Sequence, residues 1–196
     1  APDINLWCGP GYPIILMPFL ALGLPLISIT LLNVLFQYFS IVLLYKSSIR
    51  YVSHRFALGI SLFWAFCYPA YSYISIIHTE TFTWFLLTLL MYHLINCFSE
   101  SNKKYIYYAG VLLGYTALTK IIFGYVILAL FAGVIVILIF NKEKNLKKSL
   151  MVLSIAFMTA APYLVYTYTM TGRVFYWGNS GGMSLYWMST PHEIEY

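Results

Sequence analysis

Residues 121–140 read IIFGYVILALFAGVIVILIF, a stretch of 20 residues without Asp, Glu, Lys or Arg. A helix of about 20 apolar residues is what crosses the hydrocarbon core of a bilayer. The rest of the chain has the same character, since 61% of its 196 residues are hydrophobic and only 9% are charged. So few charges cannot cover a water-soluble globule, which excludes a soluble enzyme, a disordered tail and a secreted disulfide scaffold. The sequence predicts an integral, multi-pass membrane protein in a lipid bilayer.

The other uncharged runs predict the number of helices. No charged residue lies between Asp3 and Lys46, a run too long for one pass, and Gly23-Leu24-Pro25 is a natural break within it. We expect an all-α transmembrane helix bundle of about six passes plus a short juxtamembrane helix. The predicted short helix is 14–23, and the predicted passes are 26–45, 56–77, 81–98, 105–119, 121–140 and 150–170. Residues 1–196 then form a single domain, with 171–196 as an extracytoplasmic loop.

Two details refine this helix prediction. The 105–119 run would be only about 22 Å long, short of a hydrocarbon core of about 30 Å. Tyrosines 163, 166 and 168, together with Trp177, are expected to form an interfacial aromatic belt near one membrane boundary.

The distribution of Lys and Arg supports the helix count and predicts the orientation. Two of the 11 basic residues, Lys120 and Arg173, would lie on one side of the membrane. The other nine would share the opposite side: Lys46, Arg50, Arg55, Lys103, Lys104, Lys142, Lys144, Lys147 and Lys148. Cytoplasmic loops retain positive charge, so the nine mark the cytoplasmic side. The net charge of +5 is then a consequence of topology, and no nucleic-acid partner is expected.

Glu80 is the candidate catalytic residue on the extracytoplasmic side. It follows Thr79 at the start of a predicted pass, where an acidic side chain is also favoured simply by the helix N-terminus. The functional alternative is a carboxylate that accepts a proton or binds a sugar hydroxyl. His78 lies two residues away and could, with Glu80, help to hold a divalent metal ion, although two ligands alone are a weak pattern.

Lys120 and Arg173 are the candidate phosphate-binding residues. Lys120 follows the shortened 105–119 pass on the side where lysines are scarce. It is either a helix-end lysine that reaches the interface or a cation that meets a phosphate at headgroup depth. Arg173, after Gly172, is either a second phosphate contact or an exposed loop arginine.

Several short motifs, in their order along the chain, resemble those of polytopic C-type (GT-C) glycosyltransferases. More narrowly, they resemble the bacterial relatives of protein mannosyltransferases and aminoarabinose transferases, over about residues 9–187. The motifs are Gly9-Pro10-Gly11-Tyr12-Pro13, Leu32-Asn33, Thr79-Glu80-Thr81-Phe82, GVLLGYTALTK over 110–120, Ala161-Pro162-Tyr163, Thr171-Gly172-Arg173 and Gly181-Gly182.

The resemblance implies a partial GT-C fold in a membrane enzyme of the bacterial inner membrane. Such an enzyme transfers a sugar from a polyprenyl-phosphate donor to a glycan, lipid or protein acceptor on the extracytoplasmic face, with inversion. Applied to this sequence, the resemblance implies that Glu80 faces the sugar or the acceptor. It implies that Lys120 and Arg173 bind the donor phosphate. His78 and Tyr12 are expected to contact the substrate. Lys120 stands where the family usually has Arg, which keeps the charge but loses the bidentate geometry.

The resemblance also bears on what this chain contains. Family members use an Asp in the first outer loop, a couple of dozen residues before the turn that matches Gly9 to Pro13. Asp3 lies only seven residues before Pro10, so we do not assign it this role. Because the chain begins Ala1-Pro2-Asp3 without Met or a signal segment, we expect an internal piece that lacks the first transmembrane helix and the catalytic loop. The alternatives to an enzyme are a transporter or lipid flippase and a non-catalytic membrane scaffold.

Overall fold

The structure, a computed structural model, describes residues 9–100, 102–140 and 144–178, and every regular element within these ranges is a helix. In chain order the helices are α1 (Gly11–Ala21), α2 (Ile27–Ser48), α3 (His54–Phe66), α4 (Tyr68–Ser72), α5 (Thr79–Ser99), α6 (Lys104–Thr119), α7 (Ile122–Phe140) and α8 (Lys144–Thr171). Helices α2, α5, α7 and α8 are long and apolar enough to cross a membrane, and α1 is a shorter apolar helix. The predicted all-α membrane bundle is confirmed.

Helix α6 lies at the centre of the bundle, in contact with α1, α5, α7 and α8. It runs parallel to α8, because Gly110 lies against Val152 and Ile155 while Gly114, one turn later, lies against Ala156 and Thr159. Small residues at these positions let two helix backbones approach closely, and the resulting van der Waals contact favours helix association in a membrane. The predicted shortness of this helix is confirmed, since α6 has 16 residues.

The ends of α2 and α5 and the beginning of α8 meet at one end of the bundle. The Arg50 guanidinium lies 3.8 Å from the Glu100 carboxylate. Lys148 Nζ donates hydrogen bonds to the carbonyl oxygens of Cys97, at 2.7 Å, and Glu100, at 3.3 Å. We call the end marked by Arg50, Glu100 and Lys148 the basic end. It gathers segments that the charge pattern predicts to share one side of the membrane.

The prediction of one continuous helix over 56–77 is wrong. Helix α3 ends at Phe66, Cys67 is extended (φ −66°, ψ 121°), and the five-residue α4 ends at Ser72. The physical reason is Pro69, which has no N–H and whose ring would clash with the carbonyl four residues back in a continuous helix. In the first turn of α4 the same proline is tolerated, because no helical bond is required of its nitrogen there.

The segment after α8 turns back along the bundle. Gly172 has φ +67°, a left-handed conformation that glycine adopts without strain. Five residues later, the carbonyl oxygen of Trp177 accepts a 2.9 Å hydrogen bond from the Tyr163 hydroxyl. The Trp177 ring packs on Gly124 and is 1% exposed. Trp177 is therefore buried in the protein rather than facing lipid as a residue of an aromatic belt would, because Gly124 of α7 leaves room for the ring.

We predict that Gly114→Ala destabilises the protein. The new Cβ would lie 2.5 Å from the Ala156 carbonyl oxygen, so the backbones of α6 and α8 must separate, at a cost of about 1–3 kcal/mol. The matched control is Gly133→Ala in α7, where a Cβ meets nothing within 4 Å. That change alone should be neutral or stabilising, because alanine favours a helix. Thermal unfolding in detergent measures both variants, and equal midpoints would contradict the close contact.

Candidate active site

An ion-paired cluster of three side chains lies at the end of the bundle opposite the basic end. Lys120 Nζ donates a 2.7 Å hydrogen bond to Glu80 Oε1. Glu80 Oε2 contacts His78 Nδ1 and lies 3.4 Å from the Thr79 hydroxyl. The side chains of Glu80, Lys120 and His78 are 21%, 33% and 52% exposed. We call His78, Glu80 and Lys120 the ionic cluster, a site that is partly desolvated and open on its His78 side.

Glu80 belongs to the first turn of α5. His78 is the N-cap residue, with an extended backbone (φ −138°, ψ 159°), and no side chain forms a capping hydrogen bond there. The positive end of the α5 dipole favours a carboxylate in this turn. The carboxylate oxygens of Glu80 contact the side chains of Lys120, His78 and Thr79, and within the described ranges neither oxygen accepts a hydrogen bond from a backbone N–H of the first turn. The expected helix start is therefore present, with His78 as the N-cap residue and Glu80 in the first turn, and the ion pair with Lys120 is an additional role of Glu80.

Lys120 terminates α6. Its backbone is extended (φ −127°, ψ 110°), and its N–H donates to the Thr116 carbonyl at 2.8 Å. The ammonium turns toward α5 and meets Glu80, which differs from the alternative of a lysine that only reaches for the interface. The sequence places Glu80 and Lys120 on one side of the membrane, and the structure brings the two side chains into direct contact.

Asn33, a buried side chain of α2, secures the segment that leads into Glu80. Its amide nitrogen donates to the carbonyl oxygens of Ile74 and Ile76, both at 3.2 Å. Its amide oxygen accepts from the Tyr12 hydroxyl at 3.4 Å. Asn33 is part of the Leu32-Asn33 motif, but the motif alone indicates no role for it. The available signal was its amide, because a polar side chain in an uncharged membrane helix usually forms a hydrogen bond to another helix.

Tyr12, predicted to contact substrate, lies behind the ionic cluster. It is 4% exposed, its hydroxyl is used by Asn33, and its ring packs on Phe82. The prediction of a substrate-facing Tyr12 disagrees with this burial. The reason is that α1 begins at Gly11 rather than Ile14, so Tyr12 lies in a helix that packs on α5 and α6 instead of in an open turn.

The start of α1 is fastened directly to the last turn of α6. A Cβ on Gly9 would overlap the Leu118 carbonyl, and one on Gly11 would lie 2.9 Å from the Thr119 nitrogen. The Tyr115 hydroxyl donates to the Gly11 carbonyl at 2.7 Å. The glycines of the Gly9 to Pro13 motif therefore permit a backbone contact with the two residues that precede Lys120.

The remaining sequence candidates lie elsewhere. Arg173 is exposed beyond the end of α8, and the structure does not bring its side chain to the ionic cluster. Asp3, Gly181 and Gly182 lie outside the described residues. Within the described ranges, no group of three His, Cys, Asp or Glu residues could hold a metal ion, so His78 and Glu80 form only a two-ligand pair.

Comparison of the sequence with known protein families identifies the family of this chain. The family model of dolichyl-phosphate-mannose-protein mannosyltransferases matches residues 9–168, which is more than half of the chain. This stretch contains all three residues of the ionic cluster and ends before Arg173. No match was found among curated proteins or solved structures. The chain belongs to the dolichyl-phosphate-mannose-protein mannosyltransferase family.

Proposed function

We propose that the protein transfers a sugar from a polyprenyl-phosphate donor to an acceptor on the extracytoplasmic face of a bacterial inner membrane, with inversion at the anomeric carbon. Family membership makes it a membrane glycosyltransferase that uses a lipid-linked sugar. The finer assignment rests on one observation, the Glu80–Lys120 ion pair at the end opposite the basic end. An enzyme is favoured over a transporter or flippase by the family and by this placement of the charges.

The charges of the ionic cluster suit a reaction at a lipid phosphate. When the bond between the anomeric carbon and the phosphate oxygen breaks, its electron pair stays with the phosphate, whose negative charge grows. A fixed cation in a poorly hydrated site stabilises that charge most effectively. Lys120 is such a cation, since it ends α6 and is held by Glu80. Arg173 follows α8, which runs parallel to α6 and so ends on the same side as Lys120; it does not contact the ionic cluster, and its proposed role as a second phosphate contact rests on the resemblance alone.

Glu80 is proposed to bind and orient the hydroxyl that attacks the sugar. In the free site its Oε1 is occupied by Lys120. A donor phosphate that binds Lys120 competes with Glu80 for the ammonium, which leaves Oε1 able to accept a hydrogen bond from the acceptor. The acceptor oxygen then attacks the anomeric carbon from the face opposite the phosphate, and its proton passes to a carboxylate. By resemblance, that base is the Asp of the family's first outer loop, a couple of dozen residues before the turn that matches Gly9 to Pro13, and not Asp3. Donor binding thus prepares the site for the acceptor.

An apolar groove along α1, the helix that contacts the last turn of α6, fits a lipid-linked donor. The groove has a volume of about 620 Å³ and is lined by Pro10, Pro13, Ile14, Met17, Leu20 and Ala21 on one side of α1. It begins next to the contact between α1 and the last turn of α6, which ends at Lys120. An isoprenoid tail lying along α1 would therefore keep its phosphate near Lys120. We propose that His78 contacts the sugar or the acceptor, and its exposure, the highest in the cluster, supports this.

We expect Lys120→Ala in the full-length protein to abolish transfer from a polyprenyl-phosphate sugar, because the cation facing the leaving phosphate is lost. Lys120→Arg keeps the charge and should retain transfer, which separates loss of charge from loss of fold. Lys103→Ala, at the other end of the bundle, is the matched control and should be silent. Turnover in isolated membranes, with membrane insertion checked by protein blot, measures all three. Normal turnover in Lys120→Ala would remove Lys120 from the donor site.

Glu80→Gln should lower kcat at least about tenfold, because an amide cannot supply the negative charge required in the transition state. Glu100→Gln is the matched control, since Glu100 is also ion-paired but lies at the basic end. Steady-state kinetics of both variants with the same donor give the comparison. Were Glu80→Gln to turn over at the rate of Glu100→Gln, Glu80 would be a structural partner of Lys120 and nothing more.

A further inference from the structure

A groove on the outer side of α3 combines an apolar surface with a single charge. It has a volume of about 440 Å³ and is lined by Arg55, Phe56, Gly59, Ile60 and Phe63. These residues share one side of the helix, since they recur at spacings of three and four. Phe56 and Phe63 are 72% and 75% exposed, and Gly59 has no atom within 4 Å of the place of a Cβ. Gly59 therefore keeps the groove open between the two phenylalanines.

Arg55 differs from other cations of the basic end in its surroundings. The Arg50 guanidinium is paired with Glu100, and Lys148 is bonded to two carbonyls. The Arg55 side chain has no ion pair within the described ranges, and it alone supplies a charge to this groove. Lys46, in the last turn of α2, is also exposed and does not line the groove. An exposed guanidinium above an apolar surface matches a molecule with an anionic head and a hydrocarbon chain.

We propose that this groove binds one anionic glycerophospholipid, with its phosphate on Arg55 and one acyl chain along Gly59. A guanidinium binds phosphate oxygens in a bidentate fashion, and such charge-assisted bonds are stronger than neutral ones. The distance from Phe56 to Phe63 along the helix is about 10 Å, or roughly two thirds of one leaflet of a hydrocarbon core about 30 Å thick. The groove thus has the length to hold much of one acyl chain.

The position of the groove favours this class of lipid over the donor of the proposed reaction. Arg55 lies in the first turn of α3 at the basic end, as shown by the 2.7 Å hydrogen bond between its neighbour His54 and Tyr45 of α2. The ionic cluster lies at the other end of the bundle. Because the positive end of a membrane protein faces the cytoplasm, the groove lies in the leaflet that carries anionic phospholipids. The proposal is independent of the transfer reaction.

Native mass spectrometry of the detergent-solubilised chain, titrated with phosphatidylglycerol or phosphatidylcholine, tests the charge. We expect the wild type to prefer phosphatidylglycerol, and Arg55→Ala to raise its Kd at least about tenfold, as removal of a hydrogen bond to a charged group does. Lys46→Ala removes the same charge from the same end and should change Kd less than about threefold, because it has no phosphate contact to lose. Equal losses in the two variants, or no preference in the wild type, would overturn the site.

The same titration tests the groove. Gly59→Leu fills the space for the acyl chain and should weaken phosphatidylglycerol binding as much as Arg55→Ala does. Gly133→Leu is the matched control, because it adds the same side chain at another exposed helical glycine with open space around it. If Gly59→Leu binds like Gly133→Leu, the lipid does not occupy the groove and the proposal is wrong.

Discussion

The shortness of α6 is the constraint on which the site depends. Sixteen residues of helix extend about 24 Å, less than a hydrocarbon core of about 30 Å. When one end of α6 is level with the interface, the other end lies below it, and that end carries Lys120. A charge below the interface is costly unless it is paired. Glu80, at the start of α5, supplies the partner at 2.7 Å, so the length of one helix determines where an ion pair must form.

Close backbone contacts around α6 hold this arrangement in place. Gly110 and Gly114 of α6 allow close contact with α8. Gly9 and Gly11, just before and at the start of α1, allow close contact with the last turn of α6. On the far side of Lys120, the Trp177 ring covers Gly124. The Gly124 N–H donates to the carbonyl of Ile121, and the N–H of Phe123 donates to that of Lys120, so the turn between α6 and α7 is itself tight. The backbone of Lys120 is thus held by packing contacts before and after it in the chain. The ion pair with Glu80 then orients its side chain.

The sequence predicts those features that depend on composition along one segment. Charge-free runs located the helices, and the Lys and Arg pattern placed Glu80 and Lys120 on one side. The break at Cys67 was missed because Pro69 lies in a run whose hydropathy suits a helix, and hydropathy does not register a missing N–H. Trp177 and Tyr12 were placed at surfaces because the glycine and asparagine that receive them lie 53 and 21 residues away. The local pattern of residues around Trp177 or Tyr12 does not indicate a contact with a residue so far away in the chain.

The two ends of the bundle differ in how their charged side chains are exposed and paired, and the difference in their access to water explains this. At the basic end, Arg55 and Lys46 stay exposed without an ion pair in the described part of the chain, since solvent and headgroups screen them. At the other end, the two opposite charges of the ionic cluster are in contact and only partly exposed. Pairing makes a desolvated charge tolerable, and it also holds that charge in position for a ligand that can replace the partner. A phosphate is such a ligand for Lys120, and a hydroxyl is such a ligand for Glu80. In the proposed reaction, a hydroxyl attacks the anomeric carbon and the phosphate leaves, so the Glu80–Lys120 pair that stabilises the free site has to open before the donor phosphate and the acceptor hydroxyl can bind.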